Sequence, residues 1–141
     1  MSVLIIYWSG TGNTEIMANK MYEGVKSSGT LCTIKTVDSA TIKDIKENNH
    51  IMFGCPSMGI EELEEEDFEP FFQSIEGELK DKKVALFGSY GWGDGEWLID
   101  WENRVKKLGA KLFENGVKVN STPSTSEEGQ CFEFGARFAN F

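Results

Sequence analysis

Val3-Leu4-Ile5-Ile6-Tyr7-Trp8-Ser9-Gly10-Thr11-Gly12-Asn13-Thr14-Glu15 decides the reading of this chain. Val3–Tyr7 is an unbroken apolar run, as expected of a strand buried on both faces. From Glu15 the apolar positions become helical: Ile16, Met17, Met21, Tyr22 and Val25, with a helix expected over 15–28 and Gly29 as its stop. Between them lies Ser9-Gly10-Thr11-Gly12-Asn13-Thr14. A strand feeding such a turn and then a helix start is an anion-binding device. The first N–H groups of the helix are unpaired and face the turn, and the helix dipole favours negative charge there. The turn holds three hydroxyls, one amide and no Lys or Arg, a neutral donor set suited to phosphate. A lone Gly-Thr-Gly would be read as a capped connection, with Ser9 or Thr14 as the cap. Four side-chain donors within six residues favour the phosphate reading.

Two phosphate motifs do not fit. The triphosphate loop G-x-x-x-x-G-K-[ST] needs a lysine, and here none follows. The dinucleotide fingerprint G-x-G-x-x-G matches at Gly10 and Gly12, but Glu15 replaces its third glycine. A carboxylate there disfavours a bridging pyrophosphate and leaves a terminal monophosphate.

Outward from this stretch, strands are expected over 31–37, His50–Cys55, Val84–Gly88 and Lys111–Val119. Helices are expected over Ile42–Ile45, Asp67–Ile75, Glu96–Leu108 and Ser126–Asn140. Strand and helix alternate five times across residues 1–141, read as one domain without repeats or linkers. The expected fold is α/β, a doubly wound five-stranded parallel sheet with helices on both faces. Ligands of such sheets bind outside the carboxyl ends of the strands. The loops after strands one, three and four should therefore open on one edge.

Composition narrows the function. Lys and Arg number 14 against 23 Asp and Glu, a net charge of −9, which disfavours nucleic acid and membrane surfaces and favours basic partners. No apolar run approaches the ~20 residues of a membrane span. The start is too short and lacks the basic flank of a signal peptide. Cys32, Cys55 and Cys131 are odd in number and form no CxxC, so neither a zinc site nor a disulfide frame is implied. Reduced thiols suggest a cytoplasmic chain.

The second loop is Pro56-Ser57-Met58-Gly59-Ile60-Glu61-Glu62, and the third is Ser89-Tyr90-Gly91-Trp92-Gly93-Asp94-Gly95. A ligand with a phosphate tail and a flat aromatic head would use all three turns. Trp92, between glycines, can lie flush on a ring. Met58 offers a polarizable opposite face, and Glu61 can accept from a ring N–H. Each residue alone reads as structural; the phosphate turn beside them favours a ligand. His50 opens a strand without ligand partners and reads as a surface or strand-start residue. Trp97 and Trp101, four apart, read as a core stripe, and Cys55 as packing.

These residues carry a resemblance. YWSGTGNTE, GCPSMGIEELE and FGSYGWGDGEW together resemble the flavodoxins, in particular the short-chain flavodoxins of anaerobic bacteria, over essentially the whole chain. The resemblance implies strand order 2-1-3-4-5, non-covalently bound FMN, and a low-potential one-electron carrier serving redox enzymes in place of ferredoxin. By position, Ser9, Gly10, Thr11, Gly12, Asn13 and Thr14 would hold the phosphate. Met58 and Trp92 would sandwich the ring, with Pro56, Ser57, Ile60, Tyr90, Gly91 and Gly93 completing the ring loops. Glu61 would meet ring N3–H, and Ser89 and Asn120 would lie near the ribityl chain and ring edge. Gly59 matches the position where a carbonyl turns toward N5 on reduction. Ile60 departs from the small polar residue common there, and a β-branched side chain is costly at φ > 0. The chain is expected to be a monomer meeting basic-surfaced redox partners transiently. No cation is expected at the ring, and the run from Glu61 to Glu69 should oppose reduction. Three rivals are an FMN-dependent NAD(P)H or quinone reductase of the same fold, a receiver domain and a flavin-storage module. The first lacks the loop length for a substrate pocket. The second lacks its acidic residues: Ser9, Cys55 and Pro56 stand where they are needed.

Overall fold

A computed structural model describes residues 2–141. Its elements run β1 (Ser2–Tyr7), α1 (Asn13–Ser27), β2 (Leu31–Thr36), α2 (Ile42–Lys46), β3 (His50–Gly54), α3 (Phe68–Ile75), β4 (Lys83–Tyr90), α4 (Glu96–Lys107), β5 (Lys111–Leu112), β6 (Val117–Asn120) and α5 (Thr125–Phe138). The strands pair in parallel in the order β2-β1-β3-β4-β5, with β6 also beside β4.

The apolar strands feed two cores. In β1, Leu4 and Ile6 face one side with Phe53, Leu86, Phe68, Phe72, Trp97 and Trp101. Val3 and Ile5 face the other with Met52, Phe87, Met17, Met21, Phe134 and Phe138. Burial on both faces explains why β1 is a continuous apolar run rather than an alternating one. Trp97 and Trp101 are core residues at 2% and 1% exposure, as their spacing suggested. On the opposite face α1 and α5 approach to backbone contact: a Cβ on Gly24 would lie 1.9 Å from the Phe132 carbonyl oxygen, and one on Gly135 would lie 2.3 Å from that of Met21.

The expected fifth strand, 111–119, is instead two short strands. Glu114-Asn115-Gly116 is turn chemistry placed inside an otherwise β-like run. Glu114 takes φ 51, the Gly116 N–H donates to the Glu102 carboxylate, and Arg137 holds Glu114 at 3.0 Å. β4 runs on to Tyr90, so Ser89 and Tyr90 are strand rather than loop. α1 begins at Asn13, placing Asn13 and Thr14 in its first turn. His50 opens β3, as its strand-start reading expected, but it is buried, and its Nε2 lies 3.1 Å from the Phe141 carbonyl oxygen.

Candidate functional site

The turn after β1 is shaped by Gly12, which takes φ 100 at the cap of α1. Ser9 Oγ accepts from the N–H groups of Gly12 and Glu15, both at 3.2 Å, so it does cap the helix. Among the described residues, no hydrogen bond uses the N–H groups of Thr11, Asn13 or Thr14. These free donors and the unpaired hydroxyl of Thr11 are what an anion needs. Thr14 Oγ1 meets Ser89 Oγ at 2.9 Å. Trp8 lies over Gly10, where a Cβ would come within 2.9 Å of the indole.

The second loop has a fixed foot and a free tip. Met58 and Glu62 exchange backbone hydrogen bonds of 2.7 and 2.9 Å and close a three-residue tip. Gly59 and Glu61 take φ 53 and 46; Ile60 does not take a positive φ, so its β-branch is unstrained in this turn. Ile60 is 80% exposed. At the foot, the buried Glu64 carboxylate accepts from the N–H groups of Glu66, Asp67 and Phe68 at 2.7–2.8 Å, capping α3. Glu69 is paired with Arg104 at 2.7 Å. Glu64 and Glu69 are therefore committed to structure, and Glu62, Glu65, Glu66 and Asp67 remain exposed.

The third loop begins at Gly91, and Trp92 stands 63% exposed. Glu61 crosses to it: Oε1 accepts from the N–H groups of Gly95 at 2.9 Å and Glu96 at 2.8 Å. This capping of α4 from another loop leaves Oε2 free to accept elsewhere. Trp97 Nε1 donates to the Cys55 carbonyl at 3.1 Å, binding the start of α4 to the foot of the second loop. A cation also reaches this loop: Lys118 Nζ donates to the Asp94 carbonyl at 3.1 Å.

One cleft of about 230 Å³ brings together Ser9, Gly10, Thr11, Asn13 and Thr14 with Pro56, Ser57, Met58, Ser89, Tyr90 and Gly91. Gly12 faces the other side of the turn, and Gly59 and Ile60 line an adjoining hollow with Met58 and Trp8. Trp92 and Gly93 lie outside the lining of that cleft. The side-chain amide of Asn120 reaches only to 3.5 Å from the Gly91 carbonyl. The residues that sequence reasoning omitted are Ser121 and Thr122; Trp8, read as the start of the first loop, lines the cleft as well. Ser121 takes φ 60, donates its N–H to Tyr90 O at 2.8 Å and lines the cleft. Thr122 Oγ1 donates to Asn13 Oδ1 at 3.0 Å. The hydroxyl-rich Ser121-Thr122-Pro123-Ser124, following the last strand at the same edge, was the available signal.

The sequence model of the flavodoxin family matches residues 5–135. The chain belongs to the flavodoxin family. It is 43% identical over 136 residues to a flavodoxin of Clostridium beijerinckii, covering 96% of this chain and 98% of that one. It is 44% identical over 133 residues to a flavodoxin of Megasphaera elsdenii, covering 94% and 95%. The solution structure of the two-electron reduced Megasphaera elsdenii flavodoxin superposes with a TM-score of 0.89 at 99% coverage of both chains. A flavodoxin is an electron-transfer protein that carries FMN, not an enzyme. The donor set here fits that cofactor. The turn after β1 is neutral and has free N–H groups, and positions for a Cβ on Gly12, Gly59 and Gly91 have no atom within 4 Å. Met58 and Trp92 are exposed enough, at 41% and 63%, to be covered by a ring.

Proposed function

We propose that this flavodoxin holds the FMN phosphate on Ser9–Thr14, places the ring between Met58 and Trp92, and exchanges single electrons with basic-surfaced partners as a monomer. One observation carries this: three segments distant in the chain line a single cleft whose inner end has unpaired N–H donors. FMN supplies the redox chemistry, and the protein sets its binding and potentials. Thr11, Asn13 and Thr14 neutralise a dianion by hydrogen bonds rather than by opposite charge. The free Glu61 Oε2 accepts from ring N3–H while Oε1 keeps the third loop in place. Gly59, open on its Cβ side, has the freedom for its peptide to turn, and its carbonyl would then be the acceptor for a ring N–H of bound FMN. Such a hydrogen bond is worth ~1 kcal/mol, about 40 mV for one electron.

Glu62, Glu65, Glu66 and Asp67 form an exposed acidic rim beside the ring loops. A unit charge ~10 Å away, at an effective dielectric of ~20 to ~80, opposes a further electron by ~0.4–1.7 kcal/mol. The same rim attracts cationic partners and speeds encounter at low salt. No helix among the described residues is long and apolar enough to cross a membrane, and none of their carboxylate, thiol and imidazole groupings is placed to hold a metal ion. The test is to add FMN to the apoprotein and follow tryptophan quenching, then to measure electron transfer to a basic cytochrome against ionic strength. Stoichiometric quenching and a rate that falls with salt are expected. No binding, or rapid NADPH oxidation by the holoprotein alone, would contradict the reading.

A further inference from the structure

We infer that Glu61 and Lys118 clamp the third loop from opposite sides, and that Lys118 is thereby a positioning residue for Trp92. The inference rests on the FMN reading above. Between β4 and α4 the chain runs Gly91-Trp92-Gly93-Asp94-Gly95, and three of these five residues are glycine. Gly93 and Gly95 both take φ 88. Such a segment has large backbone freedom, and holding Trp92 against a ring requires that freedom to be removed.

Each of those two glycines is covered by one charged side chain. A Cβ on Gly93 would lie 2.6 Å from Glu61 Cδ and 2.8 Å from its Oε1. A Cβ on Gly95 would lie 2.7 Å from Lys118 Nζ and 2.9 Å from its Cδ. The carboxylate comes from the second loop and accepts from the N–H groups of Gly95 and Glu96. The ammonium comes from β6 and donates to the Asp94 carbonyl, which takes no other hydrogen bond among the described residues. Donor and acceptor thus grip the two ends of one peptide group, Asp94–Gly95, and the glycines exist where the two side chains must pass. Lys118 forms no ion pair among the described residues although Asp94 and Glu96 are exposed nearby. Its charge is spent on a backbone carbonyl, a charge-assisted bond that orders the loop before any ligand arrives.

The experiment compares unaltered protein, Lys118→Met and Lys118→Arg. Met keeps the stem over Gly95 and removes the donor; Arg restores a charged donor. Calorimetric affinity for FMN and for riboflavin, which lacks the phosphate, is measured for each, with NMR order parameters of the Trp92 and Asp94 amides in the apoproteins. For Lys118→Met we expect about fivefold weaker binding of both flavins and lower order parameters at both amides. Lys118→Arg should return affinities to within about twofold of the unaltered protein. Unchanged order parameters in Lys118→Met would overturn the clamp. So would a loss confined to FMN, since a mere countercharge to phosphate would act that way. Unaltered protein that binds no FMN would instead overturn the flavin reading itself.

Discussion

Thr14 Oγ1 and Ser89 Oγ lie 2.9 Å apart across 75 residues of sequence, and both residues are buried. One lies in the first turn of α1, just after the turn that follows β1, and the other sits near the end of β4. Their contact fixes the separation between the two sides of the cleft. Ser89→Ala leaves the buried Thr14 hydroxyl without its partner. We expect a loss of about 1–3 kcal/mol in apoprotein stability, read from urea unfolding. Thr14→Val with Ser89→Ala should cost less than the sum of the single changes. Strict additivity would show that the two hydroxyls act independently.

A peptide that turns over between Gly59 and Ile60 changes ψ of the first residue and φ of the second. Gly59 keeps its positive φ through that turn, while φ of Ile60, not positive here, swings by half a rotation into the positive region. The left-handed region costs an L-residue about 1–2 kcal/mol, and a β-branch adds to that. Ile60→Gly should therefore raise the potential of the first one-electron couple by roughly 40–90 mV. Potentiometry on FMN-loaded protein checks it, and an unmoved first couple would show that the peptide does not turn.

The Glu69–Arg104 pair has a definite pH signature. Burial works to raise the Glu69 carboxyl, but two hydrogen bonds from Arg104 outweigh it and hold the group below its ordinary 4.5. The folded state thus binds this proton less readily than the unfolded chain. Its contribution to stability is present above pH 4.5 and is lost as pH falls below that value. Arg104→Met should cost about 2 kcal/mol near neutrality. The difference from the unaltered protein should narrow on acidification, which urea midpoints at several pH values would reveal. A constant difference would exclude the pair as its source.

Burial also governs the thiols. It pushes Cys32 and Cys131 up to about 12 and raises Cys55 as well. At pH 8 the folded protein should resist an aromatic disulfide reagent for hours, while in urea all three thiols should react within minutes. Fast reaction of folded protein would mean that the strands open locally.

The turn after β1 was legible as a link between a strand and a helix because its signals are local: an apolar run, small residues and a helix start stand consecutively. The strand order followed from the family resemblance, since alternation alone fixes only a parallel sheet. The break in the last strand was less visible, because Lys111–Val119 is β-like on either side of Glu114-Asn115-Gly116. The reach of Glu61 to α4, of Lys118 to Asp94 and of Thr122 to Asn13 was hidden altogether. These contacts join residues 24 to 109 positions apart, and no periodicity records them. The acidic run could be read as serving a helix start, but which member caps α3, Glu64, and which pairs with Arg104, Glu69, could not.

The most direct measurement is an anaerobic redox titration of the protein reconstituted with FMN, followed by visible absorbance. Two resolved one-electron steps are expected, the second well below the value for free FMN. A single two-electron wave at the free-flavin potential, or a colourless protein after mixing with FMN, would contradict the assignment of the cleft as an electron-carrying flavin site.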